Sequence, residues 1–255
     1  MYKKIFKLIH VFFVSVGLNF LKLKNIFYFP KYIKELLIFI FKGGHVSFPS
    51  PVLGEHSSHS GSFDKQYFYQ DLIIANYIYK NKPTRHIDIG SRVDGFVSNV
   101  ASFRKIEVFD IRKNHFNHKN IIFKKFDFMK SSISMKEITD SLSCLHTVEH
   151  FGLGRYGDTI NPDGHIIGFK NILTLLKKKG LFYFSVPISK LDRVYFNSER
   201  TFEPSRVLKW SKDLQLVRFD LIYENGKIFY NCNVNNRKIF SELTYGCGLY
   251  TFRKI

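Results

Sequence analysis

The sequence predicts an α/β protein whose strands lie mostly parallel in one sheet. Residues 86–110 run from His-Ile-Asp-Ile through a Gly90-Ser91 turn and a periodic helical segment to Ile-Glu-Val-Phe-Asp. That is a strand–helix–strand unit of about the minimum length for a right-handed parallel crossover. The alternation continues with apolar runs at 121–126, 141–145 and 181–186 and an amphipathic stretch before the last. Strands alternating with helices form a parallel sheet covered on both faces. Near the C-terminus, 216–223, 227–231 and 248–253 read as strands with a tight turn at Glu224-Asn225-Gly226, an antiparallel edge on that sheet.

Taken in order, residues 1–44 stand apart as a basic, apolar, helical extension. They carry Lys3, Lys4, Lys7, Lys22, Lys24, Lys31, Lys34 and Lys42 against Glu35 alone. The apolar block at 8–21 is 14 residues long, short of the roughly 20 that span a bilayer. No small-x-small cleavage site follows its charged start. Apolar and basic residues mixed in this way suit a segment lying on an anionic membrane surface. The alternative is a helical hairpin packed on the main domain or on a partner. The expected location is therefore cytoplasmic, with peripheral attachment at the inner face of the membrane. Gly43 and Gly44 close the extension, and 45–62, with Pro49, Pro51, Gly54 and Gly61, form a linker loop. Residues 63–255 make the main domain. Its first helix, 63–80, has Phe68, Leu72, Ala75 and Tyr79 at helical spacing and Asp64 placed to cap it, and Asn81 and Pro83 end it. Further on, Ile166, Phe169, Ile172, Leu173 and Leu176 mark an amphipathic helix closed by three lysines and Gly180 as C-cap. Pro187 halts the strand that follows.

The formal charge of +18 attracts anionic membranes, nucleic acids or phosphorylated substrates and says nothing about the fold. No Arg-rich or RNP-like aromatic motif favours nucleic acid. Three scattered cysteines, Cys144, Cys232 and Cys247, lack metal-like spacing and read as buried or inert thiols in a reducing compartment.

The residues that carry chemistry sit at strand ends. Asp88 lies inside an apolar strand end and needs a hydrogen-bonding partner, either turn amides or a ligand. Gly90 allows close backbone approach. Asp110 ends the second strand 22 residues on, where an acid can take both hydroxyls of a ribose. Asp127, between Phe126 and Phe128, is placed to meet an adenine amino group with the rings flanking the base. After the fourth strand come His146, Glu149 and His150, then a Gly-rich loop with Arg155, Tyr156 and Asp158.

His-x-Asp-Ile-Gly-Ser-Arg at 86–92 and Leu-His-Thr-Val-Glu-His-Phe-Gly-Leu-Gly-Arg-Tyr-Gly-Asp at 145–158, with Asn161-Pro-Asp-Gly164 and Phe196-Asn197 through Arg200, resemble one family. The chain is similar to the class I S-adenosylmethionine-dependent methyltransferases, and more closely to the methyltransferase-like domain of unknown function 268. The likeness runs from about Gly61 to the C-terminus. It implies a Rossmann-like seven-stranded sheet with S-adenosylmethionine across the first strand ends. It implies cofactor contacts from Asp88, Gly90, Ser91, Arg92, Asp110, Asp127, Phe128 and Leu145. In the superfamily's acid-x-Gly-x-Gly-x-Gly pattern the later glycines are here Arg92 and Asp94. A side chain then stands where the cofactor's methionine end approaches, and Arg92 either pairs with the methionine carboxylate or closes the site.

Methyl transfer needs proximity and orientation, and a hydroxyl acceptor also needs a base. His146, Glu149 and His150 are the candidates, with Arg155, Tyr156, Asp158, Asn197 and Arg200 on the acceptor side. The expected acceptor is a hydroxyl or carboxyl of a small molecule or glycan precursor near the membrane. Three alternatives stay open. One is a catalytically silent protein of the same fold, and another a nucleic-acid methyltransferase motivated by charge alone. The third is a zinc peptidase, since His146 to His150 matches His-x-x-Glu-His with Glu224 as a further ligand.

Overall fold

The computed structural model describes residues 9, 11–18, 20–53, 55, 65–114, 117–130 and 134–255. Lys3, Lys4 and Lys7 of the basic segment, Gly54 and Gly61 of the linker, and Asp64, the expected helix cap, lie outside the described residues. The chain forms two units, Met1–Ser62 and Phe63–Ile255. In the first, a 3-10 stretch (Phe20–Tyr28) leads into helix α1 (Phe29–Phe41), with Pro30 in its first turn, where a missing N–H costs nothing. None of the residues of α1 is buried.

The second unit opens with α2 (Lys65–Asn81). Strand β1 (His86–Ile89) and a π-helical turn (Val93–Val97) into α3 (Ser98–Ala101) lead to β2 (Ile106–Asp110). Then come β3 (Ile121–Lys125), β4 (Thr139–Leu145), α4 (Gly164–Thr174) and β5 (Leu176–Ile188). A small hairpin, β6 (Arg193–Tyr195) and β7 (Glu199–Thr201), precedes β8 (Leu214–Tyr223), β9 (Ile228–Phe229), α5 (Arg237–Phe240) and β10 (Gly246–Lys254). The main sheet has the order β3-β2-β1-β4-β5-β10-β8-β9, one strand more than the resemblance implies, and the expected strand at 227–231 is the two-residue β9. β1 to β5 pair parallel. β10 runs antiparallel between β5 and β8, so the reversed strand lies one place in from the C-terminal hairpin.

Alternation along the strands loads the two faces differently. Ile87, Ile89, Phe182, Phe184 and Val186 pack with Phe169, Ile172 and Trp210 on one face. Ile73, Ile74, Ile78, Phe96 and Val100 cover Ile106, Val108 and Tyr183 on the other. This second face is polar toward β1, β4 and β5, where His86, Asp88, Ser141, Ser143 and Ser185 are all buried.

That polarity reverses one expectation. The buried residues of α2 are Gln66, Gln70, Ile73, Ile74, Ala75 and Ile78, while Phe68, Leu72 and Tyr79 are exposed. The helix turns its amides inward because the sheet offers them partners. Gln70 Oε1 accepts from Ser185 Oγ at 2.5 Å, and Gln66 Nε2 donates to the Ile222 carbonyl at 3.3 Å. Gly180 is not a helix cap either. α4 ends at Thr174, and Leu176 already pairs with Thr139. Residues 177–180 bulge before pairing resumes at Ser141–Leu181, and the left-handed residue is Lys179 (φ 64°). β5 also continues past Pro187, whose carbonyl accepts from Phe202 N at 3.0 Å.

Candidate active site

A partly open cleft lies at the C-terminal ends of β1 to β4. Gly90, Asp110, Asp127, Phe128, His146, His150, Tyr156 and Asp158 of the expected residues line it, joined by Phe109, Arg112, Phe126 and Thr147. Its location follows from topology, because parallel strands deliver their following turns to one edge. Phe109, Phe126 and Phe128 form one aromatic cluster, with centroids 4.8–6.1 Å apart. The rings pack on one another, and Phe128 is itself buried, so they make a floor and not the two walls of a slot. Asp127 Oδ1 accepts from Met129 N at 2.9 Å, and its second oxygen has no partner among the described residues.

Asp88 does not reach the cleft. Its fully buried carboxylate accepts from Ser143 Oγ (2.5 Å), Ser91 Oγ (2.8 Å) and Ser91 N (3.1 Å). Burial raises its pKa to about 7 against the pull of those hydrogen bonds. Asp88 and Ser91 therefore shape the turn behind Gly90, and Leu145 lies buried in the core beside them. Gly90 (φ 74°) is required there, since a Cβ would sit 2.3 Å from the Thr147 methyl. Arg92 does not enter the cleft as expected. It pairs with Asp94 at 2.6 Å, and both side chains are about 70% exposed. The two residues that replace the superfamily's glycines pair with one another and, with Ser91, line a second hollow that shares Asp110 and Arg112 with the cleft.

Asp110 is already engaged. Arg112 donates to it from Nε (3.0 Å) and Nη2 (2.6 Å), and the Arg112 guanidinium stacks 4.6 Å over the Tyr156 ring. Arg155 lies 5.3 Å from the same ring and donates to the Ser198 carbonyl. A diol on Asp110 must displace Arg112.

The His-Thr-Val-Glu-His segment leaves β4 through His146 in the left-handed region (φ 47°) into a single 3-10 turn (Val148–His150). There is no helix to place both imidazoles on one face, and no group of three potential ligands forms a metal site among the described residues. The zinc reading fails on this geometry. The three catalytic candidates instead separate. His146 Nε2 lies 3.2 Å from Cys247 Sγ, and Nδ1 lies 3.1 Å from Glu149 Oε1 without the geometry of a hydrogen bond. Glu149 is fully buried, and neither carboxylate oxygen has a hydrogen-bond partner among the described residues. His150 Nδ1 lies 2.6 Å from the Ser198 carbonyl and 3.4 Å from Arg155 Nη1; donation to the nearer carbonyl leaves a lone pair on Nε2, 3.8 Å from Glu149 Oε1.

Two expected substrate contacts are structural. Arg200 is buried and donates to the carbonyls of Glu149 (3.1 Å), Phe151 (2.7 Å) and Pro162 (3.1 Å), tying the Gly-rich loop to β7. Asn197 is exposed and supplies the left-handed residue (φ 61°) of the β6–β7 turn. Asp158 lines the cleft but spends its carboxylate on Gly152 N, Gly154 N and Tyr156 N. Sequence reading missed Cys247, Arg112 and Tyr67, whose ring lies 4.8 Å from His146. Only Arg112 left a local signal, as a base two residues after the strand-end acid.

Strand-end acids over an aromatic floor, Asp110 and Asp127 beside Phe109, Phe126 and Phe128, make a lining of the kind a nucleoside fits. Solved structures of like fold include N-methyltransferase NodS from Bradyrhizobium japonicum with S-adenosylhomocysteine, at 12% identity and TM-score 0.50, covering 76% of this chain and 89% of that one. Burkholderia thailandensis 1,6-didemethyltoxoflavin-N1-methyltransferase matches at 14% identity and TM-score 0.51, covering 73% and 79%. The [4+2]-cyclase SpnF matches at 13% and 0.51, covering 90% and 94%. The fold is that of the class I methyltransferases, and a cyclase among the matches shows that the fold alone leaves the reaction open. No curated protein matches the chain. A family profile described as Caenorhabditis protein of unknown function, DUF268, matches residues 94–222, about half of the chain, and the protein belongs to that family.

Proposed function

We propose that the protein transfers a methyl group from S-adenosylmethionine to a hydroxyl of a small molecule or glycan precursor, with His150 as the base. The observation that carries this is a cleft with strand-end acids on one side and, on the other, a histidine whose donation to Ser198 leaves Nε2 able to accept a proton. When bound, the cofactor supplies an electrophilic methyl group on a sulfonium. Asp127 and Asp110 would hold its base and sugar. His150 Nε2 takes the acceptor's proton, and the Glu149 carboxylate beside it stabilises the resulting imidazolium. A carboxylate acceptor needs no base, so a hydroxyl is the acceptor that gives His150 a role.

Calorimetric titration of the full chain with S-adenosylmethionine and S-adenosylhomocysteine tests this. Binding of both is expected, weakened about ten- to a hundredfold in Asp127→Ala, the usual loss for a hydrogen bond to a charged group. Arg112→Ala should bind about two- to fivefold tighter, because a partly exposed ion pair on Asp110 no longer has to open. No binding by the folded chain would overturn the proposal.

Attachment of the first unit to an anionic membrane surface is a second reading, favoured by α1. Its Leu37, Phe39, Ile40 and Phe41 are exposed in a segment whose charges are almost all lysine. No helix of the described residues is long and apolar enough to cross a membrane. The full chain should sediment with phosphatidylserine-containing vesicles and release as salt rises. Equal sedimentation with zwitterionic vesicles, or none with either, would overturn this reading.

A further inference from the structure

The β6–β7 hairpin forms a sheet of its own and is loaded unevenly. Arg200 and Thr201 of β7 are buried against the domain, whereas every residue of β6 is exposed. β6 and its turn nevertheless carry bulky apolar side chains in succession: Val194 is 64% exposed, Tyr195 46% and Phe196 71%. Such residues suit a half-buried strand, and no part of this strand is buried. The rim is basic. Lys190 and Arg193 are exposed, while the acids of the same segment are engaged elsewhere. Asp192 pairs with Arg206 and accepts from Glu203 N at 2.7 Å, Glu203 accepts from Arg206 N at 2.9 Å, and Glu199 meets the Tyr245 hydroxyl at 3.4 Å. The turn also belongs to the cleft. Ser198, two residues past Phe196, has its carbonyl 2.6 Å from His150 Nδ1 and 3.2 Å from Arg155 Nη1.

We infer that the β6–β7 tip is a membrane-docking element, seating Val194, Tyr195 and Phe196 in the interface of an anionic bilayer with Lys190 and Arg193 at the head groups. The shape of the tip selects this occupant. A turn with three exposed apolar side chains offers on the order of a few hundred Å², short of the ~800 Å² per partner that a stable protein interface buries. A bilayer needs no complementary surface. Aromatic and apolar side chains enter its interface, and each nearby lysine or arginine adds attraction to anionic lipid. The chain's formal charge of +18 complements the same partner. This contact belongs to the second unit and is separate from that of α1. It brings the acceptor side of the cleft within one turn of the head-group layer, because Ser198 holds His150. An acceptor hydroxyl carried on a lipid follows only with the methyl-transfer reading above; the seating of the tip does not depend on it.

Phe196→Trp in the full chain tests this. The chain's single tryptophan, Trp210, is buried in the core and sets the background. With phosphatidylserine-containing vesicles the new indole is expected to shift its emission to the blue and to be quenched by brominated acyl chains. Replacing Val194 and Phe196 together by serine, at positions exposed in the fold, should weaken vesicle binding about ten- to a hundredfold, the loss for apolar side chains withdrawn from the interface. A chain that sediments with the vesicles while the new indole stays in water is held elsewhere, which overturns the inference and leaves the reading of α1 standing. Quenching that persists when Phe39→Ser and Phe41→Ser are added upholds the tip without α1. No sedimentation overturns the inference, as does self-association in place of vesicle binding that disappears in the serine variant, since the tip is then a contact between copies. Failure of S-adenosylmethionine to bind in the separate titration would remove the methyl-transfer reading and leave the seated tip standing.

Discussion

Replacing Arg200 with alanine should destabilise the main unit by about 3–5 kcal/mol, the usual cost of breaking a buried charged hydrogen-bond set. The guanidinium is 4% exposed and donates to three backbone carbonyls in the segment between β4 and α4. Two of them, Glu149 and Phe151, flank His150. Losing the side chain strands three acceptors at about 1–3 kcal/mol for each that water cannot reach. It also frees the segment that positions the base. Gly152 and Gly164 show how tightly that segment is closed. A Cβ on Gly152 would sit 1.9 Å from the Asn161 carbonyl oxygen, and one on Gly164 2.9 Å from Gly152 N. Equilibrium urea unfolding reads the loss of stability, and amide exchange should rise first at 151–154. Arg200→Lys should recover less than half of it, because one ammonium cannot span the planar fork that reaches three carbonyls. A variant within about 1 kcal/mol of the parent would show that the loop is held by its glycines alone.

What the sequence revealed and what it hid divide by the range of the interaction. Strands β1 to β5 were legible because their apolar runs are local, and the acids at 110 and 127 were placed by the same periodicity. Gly180 was misread because a run of lysines before glycine is also the signature of a helix end. The competing fact, Leu176 pairing with Thr139, lies 37 residues away in the chain. The inward face of α2 was hidden for a similar reason. Gln66 and Gln70 look like solvent residues until Ile222 and Ser185 are brought against them. Asp88 stands out as an acid inside an apolar strand end and Arg92 as a side chain in place of a glycine, while Arg200 is expected on the acceptor side; the partners decide where each side chain lies. Asp88 and Arg200 proved to be scaffold, and Arg92 was turned away by Asp94. Cys247 gave no signal at all, since its meaning depends on a contact with a histidine 101 residues distant.

Asp88 and His86 should oppose one another as pH changes. Their side chains share one buried network: His86 Nδ1 lies 2.8 Å from Ser141 Oγ, Nε2 lies 3.2 Å from Ser143 Oγ, and Ser143 donates to Asp88. Burial is the dominant cause for both. It raises the Asp88 pKa from 3.8 to about 7 and lowers that of His86 from 6.5 to about 3. The folded state therefore holds the Asp88 proton more tightly than the unfolded chain, so this contribution is complete below pH 3.8 and is lost as pH rises toward 7. The folded state excludes a proton from His86, so its contribution is complete above pH 6.5 and is lost as pH falls toward 3. Each acts at about 1.4 kcal/mol per pH unit within its window. Between about pH 4 and 6.5 the two slopes cancel. Asp88→Asn removes one of them, and stability should then fall on acidification by about 3 kcal/mol more than in the parent over that interval. Comparing the two proteins by urea unfolding at several pH values isolates the pair, because every other titrating group is common to both. Parallel curves would mean that Asp88 is ionised in the folded protein at mildly acidic pH. The turn behind Gly90 would then be held by a charged carboxylate rather than a neutral one.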